Sequence, residues 1–117
     1  MAALDIVVLA SGRGSNLAAI FDAIDAGRCD ARVMGVVSDK ADAGALALAA
    51  GRGVSTRVVP LARGADRDAW NVALADAVAA LTPQVGVLAG FMRILGAPFL
   101  ERFPGKLVYV HPSLPPA

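Results

Sequence analysis

A chain of 117 residues with a hydrophobic fraction of 56% and a net charge of +1 is long enough for one compact domain and too short for two. The near-neutral balance, with arginines scattered between Arg13 and Arg102, argues against a nucleic-acid partner, and no apolar run approaches the roughly 20 residues of a membrane span. Cys29 is the only cysteine, so an internal disulfide is excluded and the sequence reads as that of a cytoplasmic protein.

Apolar runs alternate with helical patterns along the chain. The runs lie at residues 6–10, 33–37, 58–61, 85–89 and 107–110, and each is continuous, as in parallel strands buried on both faces. Leu17, Ile20, Phe21 and Ile24 follow the first run with i, i+3, i+4, i+7 spacing, one face of a helix that Gly27 is suited to stop. An alanine-rich helix is expected over residues 43–50. A third carries Trp70, Ala73, Leu74, Ala77 and Leu81 on one face, with Asp66 and Asp68 at its start and Pro83 beyond its end. A short fourth helix is expected near residues 98–102. The order predicts an α/β fold with a Rossmann-like, doubly wound and mainly parallel sheet. Ligands in such sheets bind beyond the C-terminal ends of the strands. That rule selects residues 11–16, 38–42, 90–95 and 111–115 for inspection.

The first of these loops reads Ser11-Gly12-Arg13-Gly14-Ser15-Asn16. Glycine permits a tight turn and close approach to a ligand. The free N–H groups of the helix that follows suit an anion, and Ser15 or Asn16 can cap that helix or add a side-chain donor. The third glycine of a dinucleotide fingerprint is replaced by Leu17, and no Gly-Lys-Ser/Thr is present, which excludes a P-loop. Three readings stay open: a phosphate site, an ordinary glycine-containing turn, or a dinucleotide site with Asp39 as the ribose-binding acid. The loop Gly90-Phe91-Met92-Arg93-Ile94-Leu95 suits a flat apolar slot with backbone hydrogen bonds, although the same residues suit a core. His111 is the only histidine. Its position after the last run fits a general acid or base and equally an ordinary surface residue. No partner with ligand spacing supports a metal site.

Three segments together, VVLASGRGSNL at residues 7–17, LAGFMRIL at 88–95 and HPSL at 111–114, resemble the signature segments of the phosphoribosylglycinamide formyltransferase family, in family order. SDKADA at 38–43 and RDAW at 67–70 are similar as well, so the resemblance covers essentially the whole chain. It implies transfer of a formyl group from 10-formyltetrahydrofolate, as cosubstrate, to the amine of glycinamide ribonucleotide in purine biosynthesis, without a metal. It further implies that Gly14, Ser15 and Asn16 hold the ribonucleotide phosphate. Arg67 with Met92, Arg93, Ile94 and Leu95 would then serve the folate, and His111 would move the proton. Residues 1–117 are expected to form the N-terminal portion of a single formyltransferase domain.

The sequence departs from that pattern at two places. Tyr109 stands where the family carries an asparagine, two residues before its histidine, and Leu114 is followed by Pro115 and Pro116. The family also continues to an aspartate that pairs with its histidine. These departures lead to the expectation that this short form is inactive alone, and that it self-associates or accepts a complementary C-terminal fragment. The rival expectations are a non-catalytic sugar-phosphate-binding module and a fragment that needs a second chain.

Overall fold

In the computed structural model, which describes residues 3–110, five strands form one parallel sheet. The order of elements is β1 (Leu4–Leu9), α1 (Ser15–Asp25), β2 (Ala31–Ser38), α2 (Gly44–Gly51), β3 (Ser55–Val58), α3 (Arg67–Ala79), β4 (Val85–Ala89), α4 (Ala97–Leu100) and β5 (Leu107–Val110). The strands lie in the order β3-β2-β1-β4-β5, and every pairing is parallel. The chain winds outward from β1 to β3, crosses back, and winds outward again through β4 and β5. Strand direction of travel therefore reverses between β1 and β4.

Two cores follow from this winding, one on each face of the sheet. On one face Leu17 and Phe21 of α1 and Ala45 and Ala49 of α2 pack on Ile6, Val8, Val36 and Val87. On the other, Trp70, Leu74 and Val78 of α3 and Phe99 of α4 pack on Val7, Leu9 and Val37. Alternate residues of β1 thus belong to opposite cores, as the period-2 geometry of a strand requires. The stripe expected on α1 is present, with Leu17 fully buried; burying a leucine contributes about 1.5–3 kcal/mol.

Most element positions agree with the sequence patterns, and β4 and β5 agree residue for residue. The third strand does not. An apolar run at residues 58–61 suggested its place, yet the ladder is made by Ser55, Thr56, Arg57 and Val58. β3 is an edge strand with three of its four residues exposed, so it carries no apolar signature. Pro60 has no N–H to donate to a ladder. Val59 and Leu61 instead lean on the α3-side core. Leu81, expected on the α3 face, is buried just past the helix end.

Candidate functional site

The reversal between β1 and β4 places two loops side by side, residues 10–14 after β1 and 90–96 after β4. The first is held by backbone. Gly14 is the N-cap of α1 with φ 94°, a left-handed conformation that side-chain-bearing residues adopt at a cost. A Cβ at Gly14 would lie 2.9 Å from Cα of Ala45, so glycine is also required by space. The Gly12 carbonyl accepts from the Ala45 N–H at 3.2 Å. No side chain caps α1, so of the two roles open to Ser15 and Asn16, cap or side-chain donor, capping is excluded. The first-turn N–H groups of an 11-residue helix and the exposed Ser15 side chain therefore face a cavity of about 360 Å³ lined by Gly12, Arg13, Gly14, Ser15, Asn16, Ala89, Gly90 and Met92. Unsatisfied N–H groups at a helix start, with the helix dipole behind them, favour an anion.

The second loop is held by side chains. Gly90 turns at φ 74° and its carbonyl accepts from the Ser11 N–H at 3.2 Å. Phe91 stacks on Trp70, with centroids 6.4 Å apart and planes 5° from parallel. The Trp70 indole N–H donates to the Val59 carbonyl at 2.9 Å. Arg67, the first residue of α3, donates from Nη2 to the Ile94 carbonyl at 2.9 Å. One turn further, Asn71 donates to the Arg67 carbonyl at 2.7 Å and accepts from the Gly96 N–H at 2.8 Å. Asp66 caps α3, accepting from the Asp68 and Ala69 N–H groups at 3.0 and 3.2 Å.

The alternative that Phe91, Met92, Ile94 and Leu95 are plain core is overturned for two of them. Met92 is 73% and Ile94 84% exposed, whereas Phe91 and Leu95 lean on the core. Arg93 and Arg67 line a second cavity of about 530 Å³ with Leu61, Ala62, Arg63, Gly64 and Ala65. The 90–95 loop is thus a wall between two cavities, with Met92 on the first and Arg93 on the second.

The dinucleotide reading fails on Asp39. Its carboxylate is fully buried and both oxygens are engaged, one by the Ser11 hydroxyl at 2.7 Å and one by Arg93 Nε at 2.7 Å. No oxygen is presented to a ribose. Asn71 belongs to none of the sequence motifs. Its signal is a polar residue between Trp70 and Leu74 on a buried helix face, which must find partners. Tyr109 lies on β5, opposite Leu88, and is 56% exposed. His111 and the segment to Ala117 lie outside the described residues. Among the described residues, no group of three His, Cys, Asp or Glu side chains is placed to hold a metal ion, and no helix is long and apolar enough to cross a membrane.

A parallel sheet whose strand order reverses between β1 and β4, with an uncapped helix start on one side of a loop and two arginines lining a cavity on the other, defines the doubly wound α/β class, in which ligands bind at such a reversal. More particularly, the chain belongs to the formyl transferase family, whose model matches residues 4–117. Phosphoribosylglycinamide formyltransferase of Escherichia coli (strain K12) is 42% identical over 113 residues, which is 97% of this chain and 53% of that protein. The enzyme of the same name from Mycobacterium tuberculosis is 47% identical over 112 residues, or 96% of this chain and 51% of the relative. The crystal structure of glycinamide ribonucleotide transformylase 1 from Symbiobacterium toebii matches with a TM-score of 0.86 at 41% identity, covering 98% of this chain and 54% of that one. The chain spans about half the length of the curated relatives it matches.

Proposed function

We propose that this chain supplies the ribonucleotide site and part of the folate site of a phosphoribosylglycinamide formyltransferase, which moves a formyl group from 10-formyltetrahydrofolate to the amine of glycinamide ribonucleotide. The observation that carries the reading is the pair of cavities divided by residues 90–95. Gly14, Ser15 and Asn16 surround the first, and a phosphate there meets α1 N–H groups with no side-chain cap to displace. Arg67 and Arg93 border the second, and Met92, Ile94 and Leu95 of the dividing loop are the further residues we assign to the folate. Folates carry a flat pterin and carboxylates, which an apolar wall and guanidinium donors suit. Two reactants on either side of one thin wall can meet at its rim.

The chemistry assigns the remaining roles. The substrate amine attacks the formyl carbon, the carbon–oxygen double bond opens to a tetrahedral oxyanion, and the bond to the folate nitrogen then breaks. One proton leaves the amine and one reaches the folate nitrogen. His111 is the residue we assign to that transfer, acting without a metal. Tyr109, at the family asparagine position, carries a phenol in place of a compact amide donor; low activity of the isolated chain is part of this reading. A cytoplasmic setting belongs to the same substrate assignment.

The test is a titration of the purified chain with glycinamide ribonucleotide, inorganic phosphate and NAD. The sugar phosphate should bind more tightly than NAD; the reverse order overturns the assignment. A second feature favours pairing with another chain. Among the described residues β5 pairs on one side alone, with β4, and its Val108 and Tyr109 are exposed. An uncovered apolar edge is a template for strand addition. Sedimentation of the purified chain should show self-association, and a stable monomer would remove this feature from the reading.

A further inference from the structure

Four groups join the ends of three strands beneath the second loop. Ser11 follows β1 by two residues, Asp39 follows β2 directly, and Met92 and Arg93 follow β4. The Ser11 hydroxyl donates to Asp39 Oδ1 at 2.7 Å and accepts from the Met92 N–H at 2.8 Å. Asp39 Oδ2 accepts from Arg93 Nε at 2.7 Å. Ser11 is 4% exposed, the Asp39 side chain is 0% exposed and the Arg93 side chain 35%.

We propose that Ser11 and Asp39 are positioning residues that set residues 92–94 as the wall between the two cavities, an assignment whose ligand side rests on the proposed function. The exposed side chains of Met92 and Ile94 give this part of the loop almost no packing to hold it. Its order depends on polar anchors: Met92 is pinned by its backbone N–H and Arg93 by its side chain, and the Ile94 carbonyl is held from the other side by Arg67. A buried carboxylate without partners is strongly unfavourable, so the pair forms as a unit and selects one loop geometry. The arginine is divided in function. Nε holds the loop to Asp39, and the guanidinium remains on the wall of the larger cavity, at a height that Asp39 fixes. Ser11 also begins the loop that leads to Gly14, so the two ligand loops share one anchor.

The test reads the anchor directly by amide hydrogen exchange on the purified chain, with folic acid binding measured in parallel as a stable pterin–carboxylate probe. In the wild type the Met92 amide should be protected. Ser11→Ala and Asp39→Ala should each lower protection at Met92 about tenfold or more, as expected for loss of a hydrogen bond within a charged network, with smaller losses in β1 and β4. Asp39→Asn can still accept from Arg93 and contact Ser11, so it should retain most of the protection. Folic acid affinity should fall about tenfold in the two alanine variants and stay near wild type in Asp39→Asn. Ser11→Ala keeps the buried ion pair and serves if Asp39→Ala fails to fold. Unchanged protection at Met92 in Ser11→Ala overturns the proposal, and so does a loss spread evenly through β1 and β4. A wild-type chain that binds no folic acid, yet shows the local exchange pattern, contradicts the proposed function and supports the positioning role. A wild type that binds, with alanine variants binding equally well, defeats the positioning role and leaves the function standing.

Discussion

The two loops at the sheet reversal are built by opposite means. The loop after β1 takes its shape from main chain: a left-handed Gly14, a backbone bond to Ala45, and no side-chain cap on α1. The loop after β4 takes its shape from side chains that are distant in sequence: Ser11, Asp39, Arg67, Trp70 and Asn71. A backbone-built site presents N–H groups, all equivalent to an anion. A site built by side chains can be shaped to a larger and less symmetric ligand. The difference predicts that single side-chain deletions other than at the shared Ser11 leave the first loop almost intact and release the second.

Trp70 is the largest of these supports. Trp70→Ala removes the platform under Phe91, a buried indole and its bond to the Val59 carbonyl, and should lower stability by about 3–5 kcal/mol in denaturant unfolding. Asn71→Ala leaves the half-buried Gly96 N–H and the Arg67 carbonyl without that partner. A cost of about 1–3 kcal/mol is expected, accompanied by faster amide exchange at Gly96. Asp66→Ala removes the α3 cap and should cost about 1 kcal/mol in the same unfolding measurement, loosening the turn that carries Arg67.

The smallest effect lies on the other side of the sheet and depends on pH. Arg52 donates twice to Asp25, at 2.7 and 3.0 Å, and sits 4.2 Å over the Phe21 ring, clamping α1 to the end of α2. The hydrogen bond from Arg52, more than its charge, holds the Asp25 carboxyl below its ordinary range. A carboxylate with a depressed folded-state pKa stabilises above its unfolded-state value and loses that contribution as pH falls through the folded one. Melting temperatures of wild type and Asp25→Asn should therefore differ slightly near neutrality and converge in acid. Because the pair is exposed, salt should shrink the gap. A gap that widens in acid would show that the clamp does not act through this charge.

How much of this was legible in the sequence differs between the two regions for the same physical reason. The 11–16 loop is local, so its glycines and its place after an apolar run were enough to locate it. Its cap was left open, and Gly14 rather than a polar side chain takes that position. β4 and β5 were legible because they are apolar and continuous, and β3 was not, since an edge strand of Ser55, Thr56 and Arg57 buries little. For the 90–95 loop, the sequence could not separate an exposed Met92 and Ile94 from core. Their exposure is decided by Ser11, Asp39 and Asn71, which lie up to 81 positions away. Asp39 shows the same limit: an acid at a strand end looks available until the fold brings Arg93 against it.

On the proposed function, the first loop binds an anion through backbone and the second binds a folate through side-chain-held geometry. The most direct measurement is a crossed titration of Gly14→Ala and Arg67→Ala with inorganic phosphate and folic acid. Gly14→Ala strains the left-handed cap and meets Ala45. It should abolish measurable phosphate binding and change folic acid affinity by less than about threefold, since the loop it distorts lies across the wall. Arg67→Ala should do the reverse, weakening folic acid about tenfold or more through loss of a charged donor and its hold on Ile94, with phosphate affinity near wild type. Both variants weakening both ligands equally, or neither ligand responding to either variant, would contradict the division of the site into two loops with separate duties.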